Sequence, residues 1–274
     1  MRFSEAGPVA TAFWRVFLAL PALWLWALAG DGPGHWKSVR THPGMLLLTG
    51  FFFAGDLAVW HWSILLTSVA NATLLSNLAP IFVTLGAWLL FRNAPTKLFL
   101  GGLAAALAGT ALLIGAGSGL SAPGHSGRAL LGDALGVITA MFYAGYQMAV
   151  TRLRARVGTA TLMAWSCLVM SALLLPAALL MGERILPQTT AGWGNVIALA
   201  LIAQAAGQSL IAYAMAHLPA TFSSVGLLLQ PVMAALFAWL LIGEAMGALQ
   251  FAGGLLVLAG IAIARRSTLS KNNP

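Results

Sequence analysis

Residues 68–91 read SVANATLLSNLAPIFVTLGAWLLF, and residues 219–242 read PATFSSVGLLLQPVMAALFAWLLI, an echo 151 positions later. At that offset Pro80 falls on Pro231, and Ala87-Trp88-Leu89-Leu90 falls on Ala238-Trp239-Leu240-Leu241. From Leu78 to Ala111 the two copies share 14 identities in 34 pairs. The chain is therefore an internal duplication. Each copy is apolar and long enough to cross a bilayer, whose hydrocarbon core takes roughly 20 residues of helix.

Working outward, composition gives the same class. With 60% hydrophobic and 7% charged residues and a mean hydropathy of +0.89, the chain has too little polar surface to coat a soluble globule of 274 residues. The apolar runs are of helix length, not the short alternating segments of an outer-membrane barrel. The expected fold is an all-α polytopic membrane protein. Nine spans can be read, at about 8–29, 44–66, 69–91, 97–117, 130–150, 160–181, 192–215, 219–242 and 247–264. The formal charge of +8 does not point to nucleic acid, because most basic residues lie in short loops beside hydrophobic runs, where they set orientation. Cys167 is the single cysteine, which excludes a disulfide framework and a thiol metal site, and reads as a small core residue.

The offset extends to the start of the chain: Gly7 falls on Gly158, Trp14 on Trp165, Leu23 on Leu174 and Ala54 on Ala205. Four spans of the first half match four of the second. The span 130–150 is left over, and its counterpart would precede Met1. The natural unit is thus five helices, with the first helix of the first unit missing from the nine that are visible, through either a start codon assigned too late or a true nine-helix chain. Five crossings reverse the direction of every corresponding helix, which makes an inverted repeat. Charge agrees with alternating sides. One set of connections carries Lys37, Arg40, Arg92, Lys97, Arg152, Arg154, Arg156, Arg265, Arg266 and Lys271, and the other only Arg2, Arg128 and Arg184. This bias places the C-terminus in the cytoplasm.

Charged groups in hydrocarbon are expensive and normally face a bundle interior or water. Asp56 lies near the middle of its span, with Trp60 and Ser63 at helical spacing and His61 beside them. It is either a substrate contact or proton-carrying group, or a structural carboxylate paired with Arg15 or capping a break after Gly55. Arg15 fits a counter-ion to Asp56 and a binder of anionic substrate equally. Asp133, at the entrance to its span, is expected to cap it. Thr73, Asn77, Pro80 and Thr84 share one stripe, Ser223, Gln230 and Ala234 its echo, and Thr139, Tyr143, Tyr146 and Gln147 a third; Gln204 and Gln208 are one turn apart. Interhelical hydrogen bonding explains such residues as well as ligand contact does. The paired mid-span prolines weigh more, since helix breaks in both halves mark binding sites in inverted-repeat transporters. Gly101-Gly102 with Gly109, and Gly253-Gly254 with Gly260, are expected to let helices approach closely. His35, His42, His125 and His217 show no metal-ligand spacing, and neither a phosphate-binding P-loop nor a nucleophile elbow is present, so no cofactor or metal is expected.

Several pieces carry a resemblance: LAPIFVTLGAWLLF with GGLAAALAGTALLIGAG, LLQPVMAALFAWLLIGEAMGALQFAGGLLVLAGIAIARR, FWRVFLAL around Arg15, and GDALGVITAMFYAGYQMAVTRL. As a set they resemble the EamA-type family of the drug/metabolite transporter superfamily over nearly the whole chain. The resemblance implies ten transmembrane helices, cytoplasmic termini, a central cavity between inverted halves, and secondary transport, often export of amino acids or related metabolites. The family's Gly-Glu after the tryptophan helix stands as Gly243-Glu244 in the second half, whereas the first half has Arg92-Asn93.

The sequence thus predicts two EamA-type repeats, residues 1–118 and 129–266, with a cytoplasmic tail at 267–274. The chain is expected in a bacterial inner membrane as a secondary transporter working by alternating access, with a small-molecule substrate and the lipid bilayer as its partners and no nucleic acid. Trp60, Asn77, Tyr143, Gln204 and Gln230 are the candidate substrate-binding residues, Pro80 and Pro231 the helix breaks, and Asp56 and His61 the proton-coupling candidates. The rival classes are a membrane-embedded lipid-modifying enzyme, for which the six scattered acids supply no clustered acid-base or metal centre, and a non-transporting partner subunit.

Overall fold

An apolar run in hydrocarbon can satisfy its backbone only by closing each amide onto a carbonyl of its own helix. The computed structural model describes residues 5–31, 34–118, 127–243 and 246–272, and all regular structure among them is helical. Arg2, His125 and Glu244 lie outside the described residues. In chain order the first helices are α1 (Pro8–Phe17), α2 (Leu20–Gly30), α3 (Gly34–Thr41), α4 (Pro43–Leu66), α5 (Val69–Ser76), α6 (Ala79–Phe91) and α7 (Lys97–Ser118). There follow α8 (Gly127–Arg154), α9 (Thr159–Leu180), α10 (Thr190–Ala198), α11 (Ser209–Ala214), α12 (Ala220–Gly226), α13 (Leu229–Ile242) and α14 (Ala248–Asn272). A π-helix, Leu199–Gln208, joins α10 to α11.

Among the described residues nine stretches are long and apolar enough to cross a membrane: α1 with α2, α4, α5 with α6, α7, α8, α9, α10 through α11, α12 with α13, and α14. They fall within a few residues of the nine spans expected. Three are interrupted where a proline follows. Pro80 and Pro231 stand just inside α6 and α13, and the turns before them close with tight three-residue bonds, Leu78 N–H to Leu75 O and Leu228 N–H to Val225 O, each at 3.1 Å. Proline cannot donate its own amide, so the chain breaks one turn upstream. Pro21 does the same at the start of α2, a break that the duplication did not reveal because its counterpart is Ala172. By contrast α4 is continuous through Gly55 and Asp56, so Asp56 caps no break there.

The chain divides into two compact units, each drawing helices from both repeats: Met1–His61 with Gly145–Leu218, and Trp62–Ala144 with Pro219–Pro274. In the second unit α7 and α14, corresponding helices of the two repeats, meet backbone to backbone at glycines. A Cβ on Gly109 would lie 2.6 Å from Val257 N and 2.7 Å from Gly253 O, and one on Gly260 would lie 2.5 Å from Ala106 N and 2.6 Å from Gly102 O. The pairing is reciprocal. Gly102 faces Gly260 while Gly109 faces Gly253, although at the repeat offset Gly102 corresponds to Gly253 and Gly109 to Gly260. Ascending one helix descends the other, so the two copies run antiparallel, as an inverted repeat requires. Gly101 and Gly254 have no such close approach.

The first unit carries the same inversion in its charges. The Glu183 carboxylate, just past the end of α9, accepts from Val9 N at 3.2 Å and Ala10 N at 2.8 Å at the start of α1. The Asp31 carboxylate, just past the end of α2, accepts from Thr161 N at 3.1 Å and Thr161 Oγ1 at 2.5 Å at the start of α9. Each of the two apolar spans, α1 with α2 and α9, is therefore followed by an acid that caps the other's N-terminus, where unpaired amides and the helix dipole favour negative charge. Gly7 and Gly158, equivalent in the repeat, leave the room, since a Cβ on either would collide with Glu183 or Asp31. Glu5 adds a third latch. It accepts from Gln188 N at 2.8 Å, from Thr189 N at 2.9 Å and from Thr189 Oγ1 at 2.5 Å.

Two outcomes follow. Gly109→Ala must push backbone against backbone and is expected to cost about 2 kcal/mol in thermal or denaturant unfolding in micelles, whereas Gly101→Ala, with nothing within 4 Å, should leave stability unchanged. The Thr189 hydroxyl, then the Gln188 and Thr189 amides, hold the Glu5 carboxyl below its ordinary 4.5. A lowered folded-state pKa stabilises above that ordinary value and is lost as pH falls through the folded value. The melting temperature of the wild type should exceed that of Glu5→Gln at neutral pH, and the gap should close on acidification below the ordinary value.

Candidate functional site

Of the nine candidate site residues, the first unit holds Asp56, Trp60, His61 and Gln204, and the second holds Asn77, Pro80, Tyr143, Gln230 and Pro231. In the first unit the polar centre begins at Arg15, in the last turn of α1, where the terminal carbonyls favour a cation. Its Nε donates to Gln204 Oε1 at 3.0 Å. The other end of the same amide, Gln204 Nε2, donates to Cys167 Sγ at 3.3 Å on α9. Cys167 is thus a hydrogen-bond partner and not merely a small core residue. Gln204 is fully buried on the π-helix. A ten-residue π-helix is rare, and such wider turns recur at functional sites. Nothing in LALIAQAAGQ announces it.

Asp56 and His61 are carried by α4. Asp56 is half-buried, and the charge that acts on it is Arg15. His61 is fully buried; its Nδ1 lies 2.5 Å from Leu57 O, and because a carbonyl only accepts, Nδ1 carries the proton. Nε2 is left as an acceptor, and among the described residues it has no partner. The indole of Trp60 stands edge-on to the His61 ring with centroids 5.1 Å apart. The same unit buries the Gln147 side-chain amide and Gln208 Oε1, likewise without partners among the described residues. Buried polar groups are normally satisfied. A set of them within one membrane-embedded unit suits a site that water or a polar ligand completes. Tyr146, on α8, packs against Phe53 at 4.3 Å.

In the second unit Asn77 sits at the break between α5 and α6, where Nδ2 donates to Thr73 O at 2.8 Å. Its amide nitrogen is spent on the helix end. Pro80 is buried, and its carbonyl accepts from Thr84 Oγ1 at 2.7 Å. Gln230 is exposed and Tyr143 half-buried. Asp133 departs from expectation. It lies inside α8, which begins at Gly127, so it caps no helix start; instead it accepts from Thr67 Oγ1 at 2.7 Å and pins the turn between α4 and α5. Ser63 adds a second latch there through Gly132 O at 2.7 Å.

Among the described residues, nine stretches long and apolar enough to cross a membrane, antiparallel duplicated helices and a buried polar centre fit an integral membrane protein of the transporter class. Residues 1–115 and 130–266 match the EamA-like transporter family, and the chain belongs to it. An uncharacterized transporter of Archaeoglobus fulgidus is 26% identical over 268 residues, covering 94% of this chain and 87% of the relative. A pseudopaline exporter, CntI, of Pseudomonas aeruginosa is 28% identical over 222 residues, covering 81% and 75%. A solved crystal structure superposes with a TM-score of 0.81 at 19% identity, covering 95% of this chain and 88% of that one, a likeness of fold.

Because Gln204 ties Arg15 to α9, Gln204→Leu should cost about 2 kcal/mol by leaving a buried donor without this acceptor. Cys167→Ala removes only a weak sulfur acceptor and should cost less than about 1 kcal/mol. Equal losses in denaturant titrations would contradict this division.

Proposed function

We propose that this EamA-family transporter exports a small amphipathic metabolite, an amino acid or related compound, by alternating access of its inverted repeats, and couples export to protons through Asp56 or His61. One observation carries the coupling: among the described residues, the acids divide into pins and a free agent. Glu5, Asp31, Asp133 and Glu183 each accept hydrogen bonds that fasten one helix end or turn to another. Asp56 instead sits mid-helix, opposite the charge of Arg15, with the unpartnered Nε2 of His61 five residues along. A carboxylate or imidazole in a poorly hydrated site is where a transported proton can be held and released. Arg15 then serves as the alternative partner of Asp56 when the proton leaves.

Trp60 and Gln204 in the first unit, and Asn77, Tyr143 and Gln230 in the second, are the residues proposed to contact substrate, with Pro80 and Pro231 supplying the breaks that free backbone carbonyls. Uncharged amides beside aromatic rings suit a ligand with both polar and apolar parts. The name of the Pseudomonas relative, an exporter, supports the outward direction. The ten-to-three asymmetry of basic residues supports insertion in a bacterial inner membrane with the C-terminus in the cytoplasm. Residues 1–118 and 129–266 are proposed as the two repeats, with 267–274 as the tail, of which 267–272 continue α14.

The test is flux in proteoliposomes under an imposed pH gradient, with a panel of radiolabelled amino acids and their derivatives. Asp56→Asn or His61→Gln is expected to abolish gradient-driven flux while leaving exchange of substrate for substrate intact. Full coupling in both variants would remove these groups from the mechanism.

A further inference from the structure

At one end of the second unit, the turn between α6 and α7, the start of α12 and the last turns of α14 line a small, partly open cavity of about 80 Å³. Asn93, Thr96, Thr221, Ser267 and Thr268 line it, so hydroxyl and amide residues from three separate segments meet there, the Thr268 hydroxyl donating to Ala264 O at 3.0 Å on its own helix. Thr96 Oγ1 accepts from Phe99 N at 3.1 Å and shares a short hydrogen bond with Ser267 Oγ, which is itself buried. That bond uses one proton of the two hydroxyls, leaving the other for an outside acceptor. The N-terminus of α7 adds its positive end at the same place. Exposed bases flank the lining residues in sequence, Arg92 and Lys97 around the turn and Arg265 and Arg266 before Ser267.

The duplication supplies an internal control. At the 151-residue offset Thr96, Ser267 and Thr268 correspond to Gly247, Ala116 and Gly117, while Arg92, Asn93 and Lys97 correspond to Gly243, Glu244 and Ala248. The equivalent positions of the other copy carry neither the hydroxyls nor the bases. This chemistry is therefore not a by-product of the repeated fold. Orientation by basic residues accounts for the charges but requires no hydroxyl-lined cavity behind them.

We infer that the cavity binds a phosphate-type anion, held by its hydroxyls and the flanking arginines, from either an anionic phospholipid headgroup or free phosphate. Leu98 and Leu100, exposed next to the turn, give an acyl chain an apolar surface beside the headgroup. The site is independent of the proposed transport cycle, so its test stands whether or not Asp56 and His61 carry protons.

The experiment is a titration of the purified full-length chain in detergent, read by thermal shift and tryptophan fluorescence, with dioctanoyl phosphatidylglycerol, dioctanoyl phosphatidylcholine and inorganic phosphate as probes. Saturable stabilisation by the phosphatidylglycerol above that by the phosphatidylcholine is expected. If phosphate alone reproduces it, the source is free phosphate; if not, it is the lipid. Arg265→Gln with Arg266→Gln should weaken the response roughly tenfold or more, and Thr221→Val about fivefold, as loss of charged and neutral hydrogen bonds implies. Equal responses to both lipids with none to phosphate would overturn the inference. So would a full response in Thr221→Val, checked for an unaltered melting temperature without ligand, because the bases alone would then be acting as a surface belt.

Discussion

Four glycines put two helix backbones of the second unit in contact, and the direction of that contact is the constraint by which the repeat is read. Between lipid-facing helices there is no hydrophobic drive to associate, so attraction comes from close packing, which only residues without bulky side chains allow. Gly102 against Gly260 and Gly109 against Gly253 supply it, and their crossed order can arise only if the two copies of one sequence run in opposite directions. Once that is so, the ends of corresponding helices lie at opposite faces of the membrane. In the first unit the acid caps show the same inversion independently. Asp31 follows α2 and reaches the start of α9, and Glu183 follows α9 and reaches the start of α1, satisfying amides that hydrocarbon would leave costly.

The same constraint sorts the polar residues by role. Groups near helix ends are bound to fixed partners and hold the frame: Glu5 with Thr189, Asp133 with Thr67, Thr96 with Ser267. Groups near mid-membrane are arranged differently. Arg15 and Cys167 share the amide of Gln204, and His61 spends one nitrogen on its own helix while the other faces no described partner. The repeat does not copy this centre. At the offset Arg15 corresponds to Ser166 and Asp56 to Gly207, so an approximately symmetric scaffold carries an asymmetric set of charges. That asymmetry suits a transporter whose two halves share a frame while one holds the ionisable groups.

Much of the frame was legible because it rests on local rules. Apolar length gave the nine spans, the echo of Pro80 in Pro231 gave two of the breaks, and Gly102, Gly109, Gly253 and Gly260 declared their packing role. What escaped was either unrepeated or long-range. Pro21 has no echo in Ala172, so a search guided by duplication passed over it. The caps by Glu5 and Glu183 join residues more than 170 positions apart, and no local pattern marks them. Asp133 looks like a cap because it stands near the start of the apolar run read from residue 130, but α8 already begins at Gly127, so its first turn lies before Asp133. Cys167 read as inert because its partner, Gln204, is brought to it only by the fold. The π-helix leaves no mark in a run of alanine and leucine. The candidate site was legible as a list of residue types and not as an arrangement: Asn77 proved to be half spent on its own helix, while Gln204 stood at the centre of a network.

The central claim, that duplicated helices meet head to tail, is tested most directly by disulfide trapping across α7 and α14 in a Cys167→Ala background. Thr96 immediately precedes α7 and touches Ser267 near the end of α14, so Thr96→Cys with Ser267→Cys should cross-link rapidly in native membranes under mild oxidation. Thr96→Cys with Ala248→Cys joins the two helix starts and should remain reduced. Cross-linking of the second pair and not the first would mean parallel copies and would contradict the inverted repeat.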